Sequence, residues 1–116
     1  MNKAHSALQT LQDRIETATG TDRALDADIE HILLGPSEDA PNYTGSVERC
    51  MDLLHAVLPD WHWHLGRDAT GMMPFARLSK GNMTVSADGT TVPLVLLAAT
   101  IKALREQEQR QGTPQR

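Results

Sequence analysis

The sequence predicts an α+β fold, a three-stranded antiparallel sheet layered with about four helices in the order α-α-α-β-β-β-α. Three observations carry this. Apolar residues recur at three- and four-residue spacings through the first half of the chain, which lines one face of a helix. At Trp61 the period drops to two, the period of a strand. The alternating runs that follow are joined by connections too short for a crossover, so their pairing is antiparallel, and a last apolar run returns to helical spacing.

Taken in order, Ala4, Leu8, Leu11, Ile15 and Ala18 mark the first helix, with Gly20 placed to close it in a left-handed cap. Thr21 or Asp22 caps a second helix whose inner face is Leu25, Ile29, Ile32 and Leu33, ended by Gly35-Pro36. "GPSEDAPNYTG" reads as a surface connection. A third helix is expected from an N-cap at Thr44, with Val47, Cys50, Met51, Leu54, Val57 and Leu58 as its stripe and Pro59 as its stop. Cys50 lies inside that stripe and reads as a small buried hydrophobe.

In "DWHWHLG" the alternation sends Trp61, Trp63 and Leu65 to a dry face and His62 and His64 to the other. "MPFARLSK" and "MTVSA" make the next strands, joined at Lys80-Gly81-Asn82. The dry face therefore collects Trp61, Trp63, Leu65, Ala76, Leu78, Met83 and Val85. The wet face collects His62, His64, Phe75, Arg77, Asn82 and Thr84.

Thr90 or Thr91 caps the last helix, where Pro93 is tolerated in the first turn. This helix has two apolar stripes. Leu94, Leu97, Ala98, Ile101 and Leu104 suit a core; Val92, Leu96, Ala99 and Ala103 are more than a one-sided helix needs. Either the helix is sandwiched within the domain or the second stripe joins another subunit. The expectation is the latter, a homodimer. One domain is expected over residues 1–105, with a polar, flexible tail at 106–116.

Composition narrows the function. Hydrophobic residues at 40% and charged residues at 22% suit a globular chain, and 3% aromatics leave Leu, Val, Ile, Ala and Met to build the core. A net charge of −4 without any basic run argues against direct nucleic-acid binding and a polybasic membrane contact. A single cysteine excludes an internal disulfide and a Cys-rich zinc site. The N-terminal segment has no apolar core of a signal peptide, and "VPLVLLAA" is too short to span a bilayer. A reducing, cytoplasmic setting is expected.

Several stretches resemble one family. "LDADIEHILLG", "NYTGSVERCMDLL", "LPDWHWHLGR" and "TVPLVLLAATIKALR", in that order, resemble the phage ABA sandwich domain, small proteins of bacteriophages and prophages. The resemblance runs from Leu25 to Arg105 and leaves the helix within residues 1–20 outside it. Pro36-Ser37 stands where the family pattern has an aromatic, and Val95-Leu96-Leu97 where smaller residues are common. The resemblance implies a layered three-stranded sheet and a phage or prophage gene, and it implies no reaction.

The candidate site is the wet face. A ring, a guanidinium and imidazoles from Phe75, Arg77, His62 and His64, with Thr84 beside them, can stack on a planar group and hold an anion. As a metal site, His62 and His64 lack a third ligand, so neither metal nor other cofactor is expected. Asp22, Asp26, Asp28, Glu30, Glu38 and Asp39 flank the second helix; Asp26 and Glu30, one turn apart, read as a solvated face rather than a cation site. No phosphate loop, His-Glu-x-x-His run or nucleophile elbow is present, which points away from an enzyme. The expected function is that of a phage- or prophage-encoded, non-catalytic binding protein in the host cytoplasm. It would inhibit a host defence system, either by binding a host protein in the manner of an anti-CRISPR or by sequestering a small nucleotide. The alternative is a virion structural or assembly accessory protein.

Overall fold

The computed structural model describes residues 3–112. Helices α1 (Lys3–Thr17), α2 (Arg23–Leu33) and α3 (Val47–Val57) come first, with one 3-10 turn, Tyr43–Gly45, just ahead of α3. Strands β1 (His62–Arg67), β2 (Pro74–Lys80) and β3 (Met83–Asp88) follow, then helix α4 (Val92–Gly112). The predicted class and element order are those of the structure. The sheet is antiparallel throughout in the order β1-β2-β3, and its registers run without a bulge from His62↔Ser79 to Arg67↔Pro74 and from Phe75↔Asp88 to Lys80↔Met83. Gly81 takes a φ of +61° in the two-residue turn after Lys80, a conformation that costs other residues a Cβ clash. Asn82 belongs to that turn, not to the sheet face.

Helix α4 organises the core. Strands β2 and β3 pack on one side of it, α1 and α3 on the other. Every residue from Leu94 to Ile101 is buried, together with Leu11 and Ile15 of α1, Leu25 and Ile29 of α2, Leu53 and Leu54 of α3, and Leu78 of β2. Thr100 is tolerated there because its hydroxyl donates to the Leu96 carbonyl at 2.8 Å.

This arrangement corrects the predicted oligomer interface. Leu96, Ala99 and Ala103 are each 0% exposed within a single chain, and Val92 is only partly accessible. The sheet on one side and helices on the other cover both stripes, so the sandwiched alternative holds.

Other details differ from the sequence expectations. Helix α1 ends at Thr17, and Gly20 is not left-handed. The Thr17 hydroxyl bonds the Asp13 and Arg14 carbonyls and Ala18 N–H reaches Ile15, which satisfies the end without a glycine cap. The N-cap of α3 is Ser46, which accepts from the Arg49 N–H; Thr44 is buried in the 3-10 turn. Ile32 and Val47 are exposed, while Leu53 is buried. Ala4 lies outside the described side chains. The segment after Arg105 is not a tail at once, because α4 continues to Gly112, aided by good helix formers and an Arg110–Glu106 pair at 3.0 Å. Residues 113–116 lie outside the described residues.

The dry face also needs one correction. Trp61, just before β1, is 6% exposed and its indole N–H donates to Gln107 of α4 at 3.2 Å. Trp63 is on the helix side of β1, yet it is 48% exposed. Helix α4 underlies β2 and β3, and among the described elements β1 packs substantially only on β2. The sheet overhangs its helices, and Trp63 sits on the overhang.

Candidate functional site

No described helix covers the other face of the sheet. Three rows cross it: His62, Ser79 and Thr84; His64, Arg77 and Ser86; Gly66, Phe75 and Asp88. The five residues predicted for a partner face, His62, His64, Phe75, Arg77 and Thr84, all lie here. They are not equally close. Phe75, Arg77 and His64 form one cluster, whereas Thr84 shares the row of His62.

The cluster is built on a small residue. A Cβ at Gly66 would come within 2.8 Å of Phe75 Cζ, so the absence of a side chain lets the ring lie across β1. The ring then meets His64 with centroids 5.9 Å apart and planes tilted by 33°. The Arg77 guanidinium carbon stands 5.7 Å from the Phe75 centroid, within the range of a cation–π contact. Arg77 makes no ion pair among the described residues. A guanidinium held by a ring but lacking a carboxylate keeps its donors available to a ligand.

Beside the cluster is a depression of about 390 Å³, lined by Asp68, Met73, Phe75, Arg77, Ser86, Ala87, Asp88 and Lys102. Lys102 comes from α4 and donates to the Ser86 carbonyl at 2.8 Å. Ser86 and Asp88 were legible as a continuation of the Thr84 alternation; Lys102, between the two stripes of α4, gave no signal. Asp68 is held by its own loop, accepting from the Thr70 hydroxyl at 2.6 Å and Thr70 N–H at 3.1 Å. The Thr70 hydroxyl bond, with backbone N–H groups of the loop, lowers the Asp68 pKa.

The acidic face of α2 is structural, which corrects the solvated reading of Asp26 and Glu30. Asp26 is fully buried, accepting from Thr44 N–H at 2.7 Å and from Arg23 at 2.8 Å. Glu30 accepts from the Tyr43 hydroxyl. Asp22 caps α2 at Leu25 N–H, and its own N–H donates to the Thr44 hydroxyl at 2.8 Å. Carboxylates that looked free thus lock the 3-10 turn onto α2. Burial, then the Glu30 hydrogen bond, raises the Tyr43 pKa. Burial, then the charge of Asp26, pushes the Cys50 thiol up to about 12, and its S–H donates to the Tyr43 carbonyl at 2.9 Å.

A second concavity, an apolar groove of about 460 Å³, lies among Leu8, Ile32, Leu33, Leu34, Ala56, Val57, Leu104, Gln107 and Glu108. Among the described residues, no group of three His, Cys, Asp or Glu side chains is placed to hold a metal ion. None of the described helices is long and apolar enough to cross a membrane. No family model, curated protein or solved structure matches the chain.

Proposed function

We propose that this chain is a small non-catalytic binding protein that meets a host protein through the uncovered sheet face, with Phe75 and Arg77 as its anchors. The observation that carries the reading is the Arg77 guanidinium, stacked on Phe75 without a carboxylate partner and flanked by His64. Aromatic and arginine side chains are the usual anchors of protein interfaces.

The proposed setting is a phage or prophage gene whose product acts in the host cytoplasm against a defence system, as the resemblance to the phage ABA sandwich domain suggests. A small nucleotide is the second reading, favoured by the depression beside Phe75. It ranks lower because Asp68 and Asp88 line the same walls and oppose a phosphate. The test is phage plating on bacteria that carry defined defence systems. Expression of the protein should restore plaques against one of them, and a Phe75→Ser/Arg77→Ala variant that keeps its far-UV circular dichroism should not. Equal rescue by that variant, or no rescue against any system, overturns the reading.

A further inference from the structure

The two edges of the sheet are treated differently. Along β3, α4 packs beneath the strand and Lys102 places its ammonium on the Ser86 carbonyl. Strand β1 is the other edge, and among the described elements it packs substantially only on β2. The six residues of β1 contain no proline or lysine and pair with β2 without a bulge, so none of those edge-blocking devices is present. Next to this edge, Trp63 is half exposed and Leu65, packed against the core, is partly so, which leaves an apolar ledge.

Charge on the strands points the same way. In a chain of net charge −4, Arg14, Arg23, Arg49 and Arg110 each sit on a carboxylate and Arg105 bonds Gln12. The guanidinium groups of Arg67 and Arg77 have neither an ion pair nor a hydrogen bond among the described residues. Arg67 ends β1 and Arg77 lies opposite His64 of β1. The carboxylates nearby are Asp60, paired with Lys80 at 3.8 Å, Asp68, engaged by its loop, and Asp88, which lies across Phe75 from Gly66 on the far strand β3.

We propose that β1 is a docking edge for an extended acidic segment of a partner protein, which adds to the sheet as a fourth strand. This rests on the binding-protein reading above and shares its His64 and Arg77, but the main-chain and apolar contacts are made by the edge and ledge rather than by Phe75. Main-chain hydrogen bonds to β1 supply affinity, and alternate side chains supply selectivity. Apolar residues of the added strand cover Trp63 and Leu65 on the helix side. Acidic residues between them face His62, His64 and Arg77 on the other side. A second copy of this chain is a poorer occupant. Two-fold antiparallel pairing of β1 with itself keeps like faces together, sets His62 and His64 against histidines or glycine, and brings no carboxylate to Arg77.

The test uses the full chain and a fluorescein-labelled peptide of alternating Glu and Val. Anisotropy should report saturable binding, and Trp63→Ser should weaken it about tenfold. A peptide with Lys in place of Glu, and one with N-methyl groups along one edge of its backbone, should not bind. Amides along β1 should gain protection from hydrogen exchange on binding. Trp63 is half exposed, so its replacement leaves the fold intact. Equal binding of the Lys peptide or the N-methylated peptide overturns the proposal. So does light scattering that shows β1 occupied by a second copy in a dimer lost with Trp63→Ser. Peptide binding that fails while Phe75 and Arg77 still govern phage plating overturns the edge alone and leaves the face reading standing.

Discussion

The buried carboxylate of Asp26 accepts a hydrogen bond from the Thr44 backbone at 2.7 Å, joining a helix to a turn eighteen residues further along the chain. Arg23 holds the second oxygen from the half-exposed side. Removing the carboxylate leaves a buried N–H without its acceptor. Asp26→Ala is therefore expected to cost about 2–3 kcal/mol, whereas Asp26→Asn, which retains an oxygen, should cost about 1 kcal/mol. Urea melts of the two variants measure the order. Equal costs would mean that charge, not the hydrogen bond to Thr44, dominates.

Trp61 and Trp63 should separate in the same assay. Trp61→Ala empties a buried site and breaks the bond to Gln107, with an expected cost of about 3–5 kcal/mol. Trp63→Ala removes a half-exposed ring, and about 1 kcal/mol is expected. A larger loss at 63 would show that the overhang is covered in solution.

These two tryptophans show where sequence reasoning stops. Alternation assigned both to the helix side of the sheet, which is correct for Trp63 in β1. It carried no information on how far α4 extends beneath that side, and coverage decides burial. Asp26 was misread for a related reason. Helical periodicity reports the local face, but its partner is a backbone N–H that only the tertiary fold brings near. The five residues of the candidate face were legible because a strand pleat is strictly two-fold. Their clustering around Phe75 was not, since it depends on Gly66 making room across the register. The double stripe of α4 was read correctly as excess apolar surface, but periodicity does not say whether the cover comes from the same chain.

Burial of that second stripe changes what Leu96→Glu should do. A carboxylate at a fully buried position in α4 lacks both water and a partner, so a loss above about 4 kcal/mol is expected. Thermal melts should show loss of cooperative unfolding. A variant that melts like the wild type would place Leu96 at the surface.

Alkaline pH probes the Cys50 site. Its folded pKa of about 12 lies above the ordinary 9.0, so its contribution to stability is whole below pH 9 and is lost as pH rises toward 12. Tyr43 is shifted in the same direction. Between these limits the wild type should lose stability faster than Cys50→Ala, by up to about 1.4 kcal/mol per pH unit. Denaturant melts at stepped pH compare the slopes, and parallel slopes would count against a buried, protonated thiol.

Gly66→Ala tests the seat of the aromatic ring. The added methyl collides with the far end of Phe75, which can swing away, so stability should change by about 1 kcal/mol or less. The His64 ring contact should be lost, read as a change in the imidazole proton shifts. Unchanged shifts would mean that the ring does not rest on Gly66.

The central position of α4 also bears on how the protein comes to exist in a cell. Arg105 of this last helix bonds Gln12 of the first, across 93 residues of chain. While a ribosome is still making residues 92–112, α1 and α3 lack the helix they pack on and the inner side of the sheet lies open to water. Native structure must then form only once α4 is available, with slow non-local docking as its final step. A stop codon that removed α4 should therefore yield an aggregate rather than a smaller folded protein.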